Sequence, residues 1–148
     1  MIIFTVEGAP VGKQRPRVCL RGGHAHAFTP KKTEEYERTV SLRAKEAMLK
    51  DGLGMYPEDV ALTVGITAYF PVPKSWSKSK KERALTGELP HIAKPDIDNV
   101  CKAVMDGMSG IVYGDDKQIN KLECGKGYSE NPRVEVIVYE SGLTREDV

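Results

Sequence analysis

The segment KPDIDNVCKAVMDG, residues 94–107, sets Asp96 and Asp98 on either side of one isoleucine, then Lys102 and Asp106 at successive four-residue steps. YGDDKQ follows, with Asp115 and Asp116. Carboxylates gathered in one place repel one another and raise their own pKa values, and a divalent cation relieves that cost. Aspartate oxygens are hard ligands, and Mg²⁺ commonly takes one or two carboxylates together with waters and substrate phosphates. In phosphoryl chemistry such an ion generates hydroxide, orients the phosphate and stabilises the leaving oxygen. A nearby lysine stabilises charge on the scissile phosphate or helps to place the attacking water. Each part also has an ordinary structural use. An aspartate at a helix start is usually a cap, Asp98 and Lys102 make an i,i+4 ion pair, and GDD after an apolar stretch is usually a turn. The combination of DxDN-x2-K with a later DD pair is more specific than its parts.

The elements around these residues are readable from periodicity. Ile97, Val100, Cys101, Val104, Met105 and Met108 form one helical stripe, with Asp98 as the expected cap and Lys102 and Asp106 opposite the stripe. Asp96 lies just ahead, and the Asp115/Asp116 pair joins them if the intervening loop packs back. Upstream, Thr29-Pro30 reads as the N-cap and first residue of a helix that carries Tyr36, Val40, Ala44 and Ala47 inward and stops at Gly52. Strands are expected over 2–8, 60–72, about 118–128, and 133–140. Residues 9–18 read as an extended loop, 21–27 as a turn or mobile loop, and 73–95 as a basic, proline-flanked connection with room for a short helix around 77–86. The expected fold class is α/β: a single domain, residues 1–148, with a mixed β-sheet and two main helices packed on it.

The 148 residues fit one domain, and 40% hydrophobic content is enough for a single core. No apolar run is long enough to span a membrane. The start MIIFTVEGAP has no basic n-region, so a cytoplasmic location is expected. Cys19, Cys101 and Cys124 form no CxxC pair, and they read as buried reduced thiols. Charge is uneven: residues 1–50 hold ten basic and five acidic residues, and residues 96–148 hold six basic and eleven acidic. Lys13, Arg15, Arg17, Arg21, Lys31 and Lys32 follow one another without an intervening acid. Lys74, Lys78, Lys80, Lys81 and Arg83 form a second basic stretch around Trp76. Both suit phosphate contacts, and both suit a solvated basic face. Trp76 stacks on a base or packs, packing being the commoner role. His24 and His26 are a weak metal signal in what reads as a loop. His91 sits near the aspartates, within reach of a phosphate or of the ligands' surroundings.

KPDIDNVCKAVMDGMSGIVYGDDKQI resembles the signature of the RusA-type Holliday junction resolvases, homodimeric endonucleases of phage and prophage origin. VEGAPVGKQRPRV and FTPKKTEEYE are similar to the N-terminal segments of one branch of that family, so the likeness runs over residues 2–139. The resemblance implies a Mg²⁺-dependent endodeoxyribonuclease, with Mn²⁺ as a substitute, acting on branched DNA and four-way junctions. It implies that Asp96 and Asp98 are metal ligands and Lys102 the catalytic lysine. The third ligand falls in the DD pair, at Asp116, with Asp115 the alternative. Asp106 is implied as a supporting residue beside the site; His91 is a candidate for the same place only by its position just ahead of the aspartates. The DNA contacts are expected from Lys13, Arg15, Arg17, Lys78, Lys80 and Lys81. Two rivals share parts of this pattern: a Mg²⁺-dependent nucleotide phosphohydrolase, and a DNA-binding module without catalysis.

Overall fold

Alternating burial builds the sheet. In β1 (Ile2–Glu7), Ile2, Phe4 and Val6 point inward, and in β6 (Arg133–Glu140) Val134, Val136 and Val138 do the same. The two strands pair antiparallel, Ile2 opposite Val138 and Val6 opposite Val134, which joins their apolar faces. β4 (Leu62–Phe70) lies antiparallel to β6 on its other side and parallel to β5 (Ile119–Tyr128). The computed structural model, which describes residues 1–142, thus has a mixed sheet of order β1-β6-β4-β5. β2 (Arg17–Arg21) and β3 (His24–Phe28) form a separate two-stranded hairpin.

Helix α1 (Lys31–Lys50) buries Thr33, Val40, Ala44 and Met48. Helix α3 (Ile97–Met108) buries Val100, Cys101, Ala103, Val104, Gly107 and Met108. Both add to the core formed by the inward faces of the strands. The short α2 (Lys78–Leu85) starts at Ser77, whose side chain accepts from the Lys80 backbone N–H. The parallel β4–β5 pair needs a long crossover, and residues 71–118 supply it. That crossover carries α3 and every aspartate of the opening motif. No described helix is long and apolar enough to cross a membrane.

The α/β class and the mixed sheet agree with the sequence expectation, and several local readings do not. Residues 17–28 are a hairpin rather than a loop, because Gly22 and Gly23 both take positive φ and supply a two-residue turn. His24 and His26 therefore sit on an exposed strand. Pro30 occupies the N-cap of α1, one residue later than expected. Asp96 occupies the N-cap of α3, while Asp98 lies in its first turn. Lys78, Lys80 and Lys81 lie on α2, where the sequence leaves room for a short helix around 77–86. The thiols are not all reduced: Cys101 on α3 and Cys124 on β5, both turned into the α3–β5 interface, are joined as a disulfide, and Cys19 is free.

The two long helices meet closely at Gly107. A Cβ there would lie 2.6 Å from Val40 Cβ and 2.9 Å from the Glu37 carbonyl oxygen. Gly107→Ala would gain about 1 kcal/mol of helix propensity. The clash reaches α1 backbone, which cannot rotate away, and overpacking costs about 1–3 kcal/mol. The clash outweighs the gain, so a net loss of up to about 2 kcal/mol is expected, read as a lower urea midpoint at unchanged slope.

Candidate active site

Three pieces of chain converge at α3. The first is α3 itself, where Asp98, Lys102 and Asp106 share one face at four-residue spacing. The second is the segment after the helix. Tyr113 is fully buried, and its hydroxyl donates to the Met105 carbonyl at 2.7 Å. Gln118 is also buried; its Nε2 donates to the Pro57 and Val60 carbonyls at 2.7 and 3.2 Å, and its Oε1 accepts from the Gly114 N–H at 3.1 Å. These anchors bring the DD pair back onto α3. The third is the loop before β2, tied to α3 by the Lys13 N–H, which donates to the Asn99 carbonyl at 2.8 Å. Gly12 is required there, since a Cβ would lie 2.5 Å from Pro95 Cβ, next to Asp96.

The DD pair divides its work. Asp115 caps the 3₁₀ turn Asp116–Gln118, its Oδ1 accepting from the Lys117 N–H at 2.9 Å. That bond, with the Asp116 side chain, holds the Asp115 carboxyl below its ordinary pKa. Asp116 instead faces α3, with Oδ2 3.8 Å from Lys102 Nζ. Lys102 also reaches Asp106 Oδ1 at 3.1 Å. Burial, followed by the fields of Asp116, Asp106 and Asp115, pushes the Tyr113 phenol well up, so it stays a neutral donor. Gln118→Ala would strand the Gly114 N–H and two carbonyls, and a loss of about 2–3 kcal/mol is expected in equilibrium unfolding.

The structure gathers some of the expected site and leaves the rest apart. Lys102, Asp106 and Asp116 are linked directly. Asp98 lies with Lys102 along one groove floored by Met105, Leu122 and the Cys101–Cys124 pair. Asp96 opens onto a neighbouring cleft of about 490 Å³, between Gly12, Lys13, Gln14, Lys94 and Asn99. Among the described residues no three His, Cys, Asp or Glu side chains close on one point as a ready metal shell. The donor chemistry still fits a hard divalent cation. Asp96 and Asp98 are exposed, the Asp96 side chain makes no cap hydrogen bond, and Asp116 meets Lys102 at the longer distance of 3.8 Å.

The remaining candidates are placed as follows. His91 is buried, its ring stacked on Phe70 at 3.8 Å between centroids and tilted against Tyr128 at 5.1 Å. Burial, with the Lys126 charge, holds its pKa down, so it packs as a neutral ring. Lys126 Nζ donates to the Ala93 and Pro95 carbonyls at 2.9 and 3.0 Å, fastening the approach to Asp96. Arg15, Arg17, Lys78 and Lys80 are exposed, and Lys81 is half-buried. Lys80 lies over the Trp76 ring, which packs edge-on against Tyr128. Lys13 is different: its ammonium is shared between Glu37 and Asp106. The sequence reading gives Glu37, Gly107, Tyr113 and Gln118 no role at the site. The glycine within a helical stripe and the tyrosine just before GDD were the available signals.

A family model described as endodeoxyribonuclease RusA matches residues 7–139, which span all of these elements. A Bacillus subtilis (strain 168) protein, YqaN, described as uncharacterized, is 39% identical over 144 residues. The match covers 94% of this chain and 96% of that protein.

Proposed function

This chain belongs to the RusA family of endodeoxyribonucleases, and from that premise we propose that it is a Mg²⁺-dependent, structure-selective enzyme that resolves four-way DNA junctions by paired phosphodiester hydrolysis in recombination and repair. The observation that carries the reading is the return of Asp116 to Lys102, which sets a third carboxylate beside the lysine of the DxDN-x2-K helix. Asp96, Asp98 and Asp116 would hold the ion, Mg²⁺ or in its place Mn²⁺. When bound, it supplies acidified water and neutralises phosphate charge. Lys102, held by Asp106, places an ammonium where charge builds on the scissile phosphate. Asp115 serves the turn rather than the ion. The products are a 5′-phosphate and a 3′-hydroxyl.

Arg15, Arg17, Lys78, Lys80 and Lys81 contact backbone phosphates, which position the duplex arms without reading sequence. Selectivity for a branch then rests on shape. A junction offers two symmetry-related strands, and a twofold homodimer would present two identical sites to them. The setting is the cytoplasm of a bacterium or of a phage-infected cell. The substrate class is tested by incubating the protein in Mg²⁺ with branched DNA and, separately, with nucleoside triphosphates. Hydrolysis of the branched DNA alone is expected. Turnover of the triphosphates alone would make this a nucleotide phosphohydrolase.

A further inference from the structure

Lys13 sits in a run of basic residues that suits DNA phosphates, yet its side chain is only 17% exposed and points away from that role. Its ammonium lies between Glu37 of α1 and Asp106 of α3, 3.2 Å from Asp106 Oδ2. The other oxygen of the same carboxylate, Asp106 Oδ1, holds Lys102 at 3.1 Å. The two oxygens of Asp106 are thus each committed to a different lysine. The helix contact at Gly107 brings Glu37 toward Asp106, and two half-buried carboxylates sharing one place need a cation between them. The backbone of Lys13 is itself fixed, through its N–H on Asn99 and the tight fit of Gly12 on Pro95.

We infer that Lys13 is a positioning residue, not a DNA contact: clamped by Glu37, it orients Asp106, and Asp106 orients the Lys102 ammonium beside Asp116. The assignment deepens the nuclease reading and rests on it. Burial lowers the Lys13 pKa, but the contacts with Glu37 and Asp106 outweigh it, and the net shift is upward, so the clamp keeps its charge. The relay draws on three elements distant in sequence: the loop before β2, α1 and α3.

The test measures single-turnover cleavage of a four-way junction at saturating protein in Mg²⁺, and junction affinity in EDTA across a salt series. The proteins are wild type, Lys13→Met, Lys13→Arg, Glu37→Gln, Asp106→Asn and the Lys13→Met/Asp106→Asn pair. Lys13→Met is expected to cut about 10- to 100-fold more slowly, with affinity and salt slope unchanged. Lys13→Arg should recover most of that rate, and Lys13→Met should add little to Asp106→Asn. A phosphate contact would do the reverse. Binding would weaken, the salt slope would fall by about one, and the bound complex would cut at the normal rate, which overturns the assignment. Should Lys13→Met fail to fold, Glu37→Gln decides: a loss of about tenfold at unchanged affinity supports the relay, and a wild-type rate overturns it. Wild type that cuts no branched DNA would overturn the nuclease reading, and this assignment with it; an inactive parent sets that outcome apart.

Discussion

Asp98→Asn is expected to slow cleavage of a four-way junction by about 10³-fold, roughly 4 kcal/mol of transition-state stabilisation, while junction binding survives. The side chain sits in the first turn of α3, exposed, on the groove it shares with Lys102. The amide keeps its size and loses its charge, so packing is untouched and only cation affinity suffers. Removing a negative charge from the path of the phosphates should leave binding in EDTA unchanged or slightly tighter. Single-turnover cleavage and a gel-shift titration read the two halves separately. A mutant that cuts at the wild-type rate would exclude Asp98 from the ligand set.

Lys102→Ala should show a different signature. Removing the ammonium takes away charge stabilisation at the scissile phosphate, a loss of about 10²- to 10³-fold in rate. It also removes the cation that competes for Asp116, which Lys102 Nζ approaches to 3.8 Å. The Mg²⁺ concentration giving half-maximal rate should therefore fall, because the carboxylate becomes more available to the ion. A Mg²⁺ titration of the single-turnover rate measures both quantities. A lower maximum with a lower Mg²⁺ requirement fits the assignment. A lower maximum with a higher requirement would mean that Lys102 helps to hold the ion's surroundings together instead.

What the sequence discloses is what local periodicity controls. RVEVIVYE alternates without a break, and the strand runs over the same eight residues, Arg133–Glu140. Val100, Cys101, Val104 and Met108 of the apolar stripe likewise lie on one buried face of α3, while Ile97 at its start is exposed and Met105 half-buried. The DxDN-x2-K spacing puts Asp98 and Lys102 on one helix face whatever the rest of the chain does. Features that depend on distant partners are not legible in this way. Lys13 reads as a phosphate contact because its neighbours in sequence are basic, while its partners Glu37 and Asp106 come from two helices further along. Cys101 and Cys124 have no motif spacing, and only the packing of α3 on β5 brings them together. The β2–β3 hairpin is not legible for a different reason. Gly22-Gly23 is a good two-residue turn signal, but the strands on either side, RVCLR and HAHAF, are exposed and carry no large apolar face that the core buries.

The most direct measurement is cleavage of a synthetic, immobile four-way junction, each strand labelled in turn, in Mg²⁺ and in EDTA, with linear duplex as control. Paired nicks on opposing strands, only with Mg²⁺ and only on the junction, are the predicted result, and they would support the dimer together with the activity. Equal cutting of junction and linear duplex would contradict structure selectivity. Metal-independent binding without any nick, across several divalent ions and junction sequences, would contradict the catalytic account.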